Sequence, residues 1–427
     1  MEAQVIAREG SAIKLEVWVD LSGSMLMAEE AILSAVNEVG TVATQEALSR
    51  FDADGDPIVL GGVKWYCKEN AAKTYQTPYG AVPVERHVYQ RSGGGKTLCP
   101  LETNARIVRT ATPRFAKLVS HKLARGVAAE VATDLSENHG RATVKLMVQE
   151  LGAFVGGIAQ AKEESWSYAT PKLDTRIASV GIGVDGTCML LCESAWREAM
   201  TGSISLYDKM GERQHTIYIG ASPEYGKATF FERMEREIAH VKALYPTARY
   251  AGIADGAKTN WQFLGPHVEE QILDFYHATE YLTDAADAIW GDKLDLRETW
   301  LDSRCSTLKH DPKGIDKIRR ELAAIDRQQW HTERRTKLDD CIRFFTNHHH
   351  QMQYARYQQA GLPIGSGVTE AACKTLVKQR LCRSGMRWKE PGAQVILSLR
   401  ALVLTATRWA QFWKKIAQYG VPDLCGA

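Results

Sequence analysis

The sequence has no long apolar run, no paired cysteine motif and almost no net charge. No stretch approaches the roughly 18 apolar residues that a membrane helix needs, and the first ten residues lack the apolar centre of a signal peptide. The nine cysteines form no CxxC pair, which argues against a zinc site and favours reduced, buried thiols. These absences predict a soluble, cytoplasmic protein without a membrane partner. The formal net charge of +2 means that any signal for nucleic acid must be local.

The remaining composition is that of an ordinary folded protein. Apolar residues make up 44% of the chain and charged residues 24%, which excludes wholesale disorder. A length of 427 residues is enough for roughly two to four domains, each with its own core.

Residues 1–110 predict an N-terminal helix followed by a β-hairpin region. The helix should span Ala28–Arg50 with Asp20 or Ser22 as its N-cap, and Ala81–Gln90 alternates like a strand. Asp20, Ser22 and Ser24 resemble the metal-binding start of von Willebrand A domains, but the strand and helix alternation of that fold does not follow. Arg91–Thr97, RSGGGKT, ends like a phosphate-binding loop. However, Gln90 occupies the position of the required first glycine, so a hairpin turn is the better interpretation.

Residues 111–170 change to a helical period and predict a DNA-binding region of the helix-turn-helix kind. Apolar stripes occur on both sides of a break at Asn138-His139-Gly140. Arg141 and Lys145 follow the break and are candidate DNA contacts. A small helical bundle without DNA would show the same pattern, and both interpretations stay open at this point.

The segment Ile177–Thr187, IASVGIGVDGT, predicts a buried central strand that ends in an acid. Its apolar residues run to Val184, and Gly186 would give Asp185 a sharp exit from the strand. A carboxylate at the end of a buried strand is held rigidly yet is open to solvent, as a catalytic metal requires. The simpler alternative is an ordinary Asp-Gly turn.

The following elements predict an α/β fold with a mixed sheet. In order, we expect strands at Gly202–Tyr207 and Gln214–Gly220, a helix at Gly226–Tyr245, a strand at Ala248–Ala254, a helix, and a strand at Gln271–Tyr276. Asp255-Gly256 ends the fourth strand as Asp185-Gly186 ends the first. A right-handed crossover would bring Asp255 beside Asp185, in a ribonuclease H-like mixed-sheet catalytic core.

A third acid and a basic segment follow near the C-terminus. A two-metal site needs one more carboxylate, and Glu370 stands in the first turn of a helix that begins after Gly365-Ser366-Gly367. From Glu370 to Lys415 there are ten Lys and Arg residues against two acids. The candidate DNA contacts among them are Lys374, Lys378, Arg380, Arg383 and Arg387. Trp409, Phe412 and Trp413 have helical spacing and are expected in a core.

Several long motifs resemble one known family. They are VDGT at Asp185, PEYGKATF from Pro223, ADGAKTNW at Asp255, DFYHATEYL at Asp274, and LPIGSGVTEAACK with VKQRLCRSGMRW around Glu370. Over nearly the whole chain, the sequence resembles the ISKra-type DDE transposases of bacterial insertion sequences, relatives of Mutator-like elements.

The resemblance implies a set of roles. Asp185, Asp255 and Glu370 would be the catalytic, metal-binding triad for two Mg²⁺ ions, with Mn²⁺ as a substitute. Asp274 and His277 would support the site from the fifth strand. The DNA partners would be the terminal inverted repeats and a target DNA, bound by a homodimer or higher oligomer in the bacterial cytoplasm and at the nucleoid.

The resemblance also completes the expected domain organisation. Residues 171–277 would be the first part of the core, residues 278–362 an α-helical insertion, and residues 363–427 the second part with basic C-terminal helices. Two other functions stay open: a ribonuclease H-like nuclease or resolvase that hydrolyses without joining, and a non-catalytic DNA-binding protein derived from a transposase.

Overall fold

The structure is a computed structural model that describes residues 3–422. Helix accounts for about 51% of it and strand for about 22%. The fold is therefore mixed α/β, as the sequence predicts. Contacts divide the chain into two units. Of the described residues, the first contains residues 3–169 together with Ser398–Val403 and residues 407–422, and the second contains Thr170–Leu397 with Leu404–Ala406.

The first unit begins with two small antiparallel sheets and a long helix. Its strands are β1 (Gln4–Glu9), β2 (Ala12–Glu16), β3 (Ile58–Leu60), β4 (Val63–Gln76), β5 (Ala81–Gln90) and β6 (Thr97–Leu98). Its N-terminal helices are α1 (Met25–Ser49), α2 (Pro100–Asn104), α3 (Pro113–Arg125), α4 (Ala128–His139) and α5 (Lys145–Ala161). β5 has the bounds that its alternating pattern predicts, and the RSGGGKT segment connects it to β6 as a hairpin.

The start of α1 differs from the prediction. Ser24 is the N-cap, and its hydroxyl accepts a hydrogen bond from the backbone N–H of Met27 at 3.3 Å. Asp20 instead accepts from the backbone N–H of Ser22 at 2.9 Å, in a turn that precedes the helix. The prediction of Asp20 or Ser22 as the cap is wrong because Asp and Ser suit both a cap and the turn before it.

The second unit is built on a five-stranded sheet. Its elements up to the last strand are β7 (Ile177–Leu191), β8 (Ala195–Asp208), β9 (Arg213–Ala221), α6 (Ala228–Leu244), β10 (Arg249–Ala254), α7 (Lys258–Leu264) and β11 (Glu270–Leu273). The strand order is β11-β10-β7-β8-β9. β8 is antiparallel to β7 and β9, whereas β10 is parallel to β7 and β11.

The sheet is held by an apolar core on the side of α6. The residues of α6 that face it are fully or almost fully buried: Phe230, Met234, Ile238 and Val241. They recur at the three- and four-residue spacing of an amphipathic helix, so one face of α6 packs against β8 and β9.

A group of helices follows β11 and shares an apolar core with β10 and β11. They are α8 (Phe275–Trp290), α9 (Leu294–His310), α10 (Gly314–Ala324), α11 (Thr332–His348) and α12 (Tyr354–Gln359). Leu282, Leu322, Leu338 and Phe345 are completely buried among them. The chain leaves the sheet at Phe275 and returns at Ile364, and the backbone N–H of Phe275 donates to the carbonyl of Ile364 at 2.9 Å.

The chain ends with further helical elements. They are α13 (Gly367–Ala372), a π-helical segment (Cys373–Lys378), α14 (Gln379–Leu381), α15 (Glu390–Leu404) and α16 (Arg408–Tyr419). Phe412 and Trp413 of α16 are buried, as their spacing predicts, whereas Trp409 is only half-buried. Residues 407–422 cluster with the first unit. Within residues 3–422, no helix is both long and apolar enough to cross a membrane.

Candidate active site

Three acids lie at the same level of three neighbouring parallel strands, one within its strand and two directly after theirs. Towards the carboxyl ends of the strands, β7 and β10 last pair at Gly183 and Ile253, and β10 and β11 last pair at Ala254 and Leu273. Continued along the chain, this register aligns Asp185 with Asp255 and Asp255 with Asp274. The predicted neighbours Asp185 and Asp255 are therefore brought to one edge of the parallel part of the sheet.

Asp185 lies within β7, which corrects the prediction that the strand ends at this acid. β7 continues to Leu191 and pairs Asp185 with Thr201 of β8. Gly186 lies beside the exposed side chain of Glu198, whose Oε1 would be 2.2 Å from a Cβ at this position. An Asp-Gly pair occurs both at turns and within strands, so the sequence could not show that β7 continues past Asp185.

The carboxylate of Asp185 is partly buried and fixed by two donors. Its Oδ1 accepts from the backbone N–H of Gly186 at 2.7 Å, and its Oδ2 accepts from the thiol of Cys373 at 3.2 Å. Burial raises the pKa of Asp185, the two hydrogen bonds oppose that rise, and the negative charges of Asp255 and Glu370 add to it. A nearby cation would relieve both the burial cost and the repulsion.

Cys373 joins this carboxylate to the neighbouring strand. Its Sγ lies 2.8 Å from the hydroxyl of Thr201 on β8. Burial, with the adjacent Asp185, raises the pKa of Cys373 to about 12, so the thiol keeps its proton at neutral pH. It is therefore a hydrogen-bond donor to Asp185.

Glu370 is in the first turn of α13, as predicted, and is exposed. Its Oε1 accepts from the hydroxyl of Ser366 at 2.7 Å. The neighbouring Thr369 fixes α13 to the sheet, because its hydroxyl lies 2.7 Å from that of Ser203 on β8. Gly183 makes this approach possible, since a Cβ there would lie 2.0 Å from Oγ1 of Thr369.

Asp185 and Glu370 line the same open groove, which has a volume of about 770 Å³. The other polar side chains on its walls are Thr187, Cys373, Lys374, Lys378 and Gln379. Lys374 and Lys378 belong to the π-helical segment. Such segments are rare and occur frequently at functional sites, because the wider turn changes the direction of the side chains.

Asp255 is exposed at the end of β10, beside this groove and not among the residues that line it. Its Oδ1 accepts from the backbone N–H of Ala257 at 3.1 Å and from the side-chain amide of Asn260 at 3.3 Å. The same amide donates to the carbonyl of Val184 at 3.4 Å, which ties the end of β10 to β7. Within residues 3–422, no three His, Cys, Asp or Glu side chains are grouped closely enough to surround a metal ion as they stand.

Asp274 and His277 are at the start of α8, whereas the sequence predicts them on the fifth strand. Asp274 is 1% exposed and caps α8 by accepting from the backbone N–H of His277 at 2.8 Å. Its other oxygen accepts from the backbone N–H of Ser366. Asp274 therefore holds the loop that leads to Glu370. β11 ends early because an acid at this position favours a helix N-terminus.

His277 lies apart from the groove. Its Nδ1 is 3.0 Å from Oε2 of Glu280, and its ring packs against the rings of Tyr281 and Phe344 at centroid distances of 5.6 and 5.9 Å. These are contacts of the helical group that follows β11.

Two of the predicted DNA contacts are buried and do not fit that role. Arg141 is 7% exposed and donates to the carbonyl of Thr77 at 3.1 Å. Arg380 is 3% exposed, and its guanidinium lies 5.3 Å from the ring centre of Trp388. Both arginines have packing roles that a basic pattern in the sequence does not reveal. By contrast, Lys145, Lys374, Lys378, Arg383 and Arg387 are not buried.

Four residues of the site are not evident from the sequence pattern alone: Thr201, Asn260, Ser366 and Cys373. Asn260, Ser366 and Cys373 lie inside the motifs that carry the family resemblance, only three to five residues from an acid of the proposed triad. Their position there is the signal that could have identified them. Thr201 has no such signal, because only strand pairing brings it to Asp185.

Comparisons with known proteins add no assignment to this geometry. No protein-family model matches the sequence, and no curated protein matches it at a significant level.

Proposed function

We propose that the protein is a DDE transposase with a ribonuclease H-like core. In this proposal it cuts DNA at the ends of an insertion sequence and joins the freed 3′-OH to target DNA. The strand order supports the fold, since β7, β8 and β9 form an antiparallel meander and β10 and β11 add in parallel beside β7. The acids of the triad would be Asp185, Asp255 and Glu370.

The observation that carries the proposal is the combination of charges around one groove. Asp185 and Glu370 line it, Asp255 is aligned with Asp185 at its edge, and Lys374 and Lys378 are on its wall. Carboxylates placed beside lysines in an open groove suit a phosphodiester substrate, because the lysines attract the backbone that the acids would act on.

The three carboxylates fit divalent cations in their chemistry. Mg²⁺ prefers oxygen ligands, Mn²⁺ accepts the same set, and the raised pKa of Asp185 includes repulsion that a cation would remove. Two such ions, when bound, supply charge stabilisation for the attacking and leaving oxygens of an in-line displacement. Asp185, Asp255 and Glu370 would hold them.

The other residues of the site would position the acids and the DNA backbone. Ser366 and Asp274 fix the loop before Glu370, Cys373 orients the carboxylate of Asp185, and Asn260 orients that of Asp255. Lys374 and Lys378 would hold a backbone phosphate in the groove. The partners of this activity are the terminal repeats of an element and a target DNA, and two or more copies of the chain would pair the two ends.

The test is strand cleavage and joining with labelled element ends and Mg²⁺. Asp185→Asn and Glu370→Gln should each abolish cleavage and leave end binding nearly unchanged, because each removes a charge at constant shape. Glu232→Gln, on the outer face of α6, is the matched control and should be fully active. Equal loss of binding and cleavage would assign structural roles to the acids.

A second substrate distinguishes joining from hydrolysis. A transposase should insert a pre-cut end into a target plasmid, whereas a nuclease or resolvase of the same fold should cut the uncut end and never join the pre-cut one. If wild-type protein binds ends and neither cuts nor joins them, the chain is a non-catalytic DNA-binding protein.

A further inference from the structure

A second cavity, with a volume of about 730 Å³, lies at the other end of the core sheet. It is lined by Thr175, Arg176, Ile177, Ala178, Asp208, Lys209, Met210, Thr247 and Arg249. Ile177 begins β7 and is separated from Asp185 by roughly 26 Å of strand at about 3.3 Å per residue. The cavity is therefore distinct from the groove of Glu370.

The charge that faces this cavity is positive. Arg176, Lys209 and Arg249 line it against one acid, Asp208. The Oδ1 of Asp208 accepts from the backbone N–H groups of Met210 at 2.8 Å and Glu212 at 3.0 Å, and its Oδ2 accepts from the amide of Gln214 at 2.9 Å. Asp208 thus closes the turn between β8 and β9, and its carboxylate is already bound on both oxygens.

Arg249 shares its acidic partner with another arginine. Its Nη2 lies 3.2 Å from Oε1 of Glu270. Arg356 binds both oxygens of the same carboxylate, at 3.1 and 2.7 Å. One carboxylate faces two guanidinium groups, so this cluster keeps a net positive charge beside the cavity.

The strand pairing of β7 is interrupted at the cavity wall by a β-bulge at Ala178. Ile177 pairs with Asp208 and Ser179 pairs with Tyr207, so the bulge residue Ala178 has no partner on β8. Pairing with β10 begins only at Ser179 with Arg249. Bulges of this kind redirect side chains and occur frequently beside functional sites. The nearby guanidinium of Arg176 donates to the hydroxyl of Thr247 at 3.4 Å, which places a cation and a hydroxyl together.

We infer that this cavity binds a phosphate group carried by a nucleotide or by a nucleic-acid backbone. Guanidinium forks, a lysine ammonium and threonine hydroxyls are the side-chain donors that bind phosphate oxygens. The volume is in the range of about 300–1,000 Å³ that small-molecule sites occupy. The inference does not depend on strand cleavage, because none of the acids of the proposed triad lines the cavity.

The test compares a cavity variant with a charge-matched control. Arg176→Gln with Lys209→Gln removes two cations of the cavity and leaves the pair of Arg249 with Glu270 intact. Arg236→Gln with Lys337→Gln removes the same charge from exposed positions of α6 and α11. Full-length wild-type, cavity and control proteins are titrated with ADP by calorimetry and with an unrelated 30-base-pair duplex across a salt series. Thermal melting checks that all three are folded.

The two probes identify the source of the phosphate. If a nucleotide is the ligand, ADP binds wild-type and control protein and binds the cavity variant about tenfold more weakly or worse. If the ligand is a DNA backbone, the cavity variant alone shows a log–log salt slope reduced by about 0.9 for each phosphate that it no longer binds. Equal behaviour of the cavity and control variants towards both probes overturns the inference. The strand-cleavage assay bears only on the groove of Glu370, so the two proposals can fail separately.

Discussion

The thiol of Cys373 lies 3.2 Å from Oδ2 of Asp185, although the two residues are 188 positions apart in the chain. Through this contact the helical segment that follows Glu370 and the strand that carries Asp185 share a hydrogen bond. The distance between the carboxylates of Asp185 and Glu370 therefore depends on Cys373, which is not an acid.

Replacing Cys373 should slow DNA cleavage without weakening DNA binding. Cys373→Ala removes the donor that orients Asp185, and a hydrogen bond to a charged group contributes about 1.5–3 kcal/mol, so we expect a cleavage rate reduced roughly tenfold or more. Cys373→Ser keeps a donor and should restore most of the rate. Cys188→Ala, which removes an exposed thiol of the same strand as Asp185, is the control. A Cys373→Ala protein with wild-type cleavage rates would exclude the positioning role.

Gly183→Ala should force α13 away from the sheet. The new Cβ would lie 2.0 Å from Oγ1 of Thr369, and overpacking of this kind costs about 1–3 kcal/mol. Gly367→Ala is the matched control, because a Cβ there meets no atom within 4 Å. The free energy of unfolding should fall in urea titrations for Gly183→Ala only. Adding Thr369→Ala should recover part of the loss, and strict additivity of the two changes would contradict a direct clash.

Asp185→Asn should stabilise the protein in buffer free of divalent cations. The folded pKa of Asp185 is raised above 3.8, so the folded state binds more protons than the unfolded state between 3.8 and the folded pKa. The free energy of unfolding then falls as the pH rises through that window. Asn removes this loss, and the melting temperature at pH 7 should rise.

Mg²⁺ or Mn²⁺ should stabilise the wild-type protein. Either cation should raise its melting temperature and leave that of Asp185→Asn nearly unchanged, because bound ligand stabilises the folded state. A lower melting temperature for Asp185→Asn without cations would show that the charge of Asp185 is compensated by the fold itself.

Lys374 and Lys378 should contribute to DNA affinity in a salt-dependent manner. Substituting both by Gln should flatten the log–log dependence of affinity on salt by about 0.9 for each phosphate that the variant no longer neutralises. Arg380→Gln should behave differently, since Arg380 is buried against Trp388. It should lower the melting temperature and leave the salt slope unchanged. An unchanged slope for the double lysine variant would show that these two lysines do not bind DNA.

Much of the second unit could be predicted from the sequence because its signals are local. The core elements follow in the predicted order, and Glu370 occupies the first turn of its helix. Alternation and helical spacing depend only on neighbouring residues. The alignment of Asp185 with Asp255 followed from one further rule, the right-handed crossover between parallel strands.

The predictions from the sequence were wrong where one residue type can have two structural roles. Gly186 continues β7 and does not form a turn, while Asp274 caps a helix at the point where the strand was expected to continue. Arg141 and Arg380 belong to basic patterns but are buried in the fold. Packing that a local pattern does not encode decides each of these cases, and a single sequence contains no record of it.

The hydrogen bond from Phe275 to Ile364 has a consequence for how this chain can diverge. It joins the point where the polypeptide departs into α8–α12 to the point where it comes back. The excursion is a closed loop whose ends are fixed next to Asp274 and the Ser366 loop. Because the entropy of loop closure grows only slowly with length, this excursion can gain further residues at little cost, whereas the helices that share a core with β10 and β11 must stay. The same scaffold can therefore acquire new surfaces by lengthening the outer part of this excursion, while its acids keep their places.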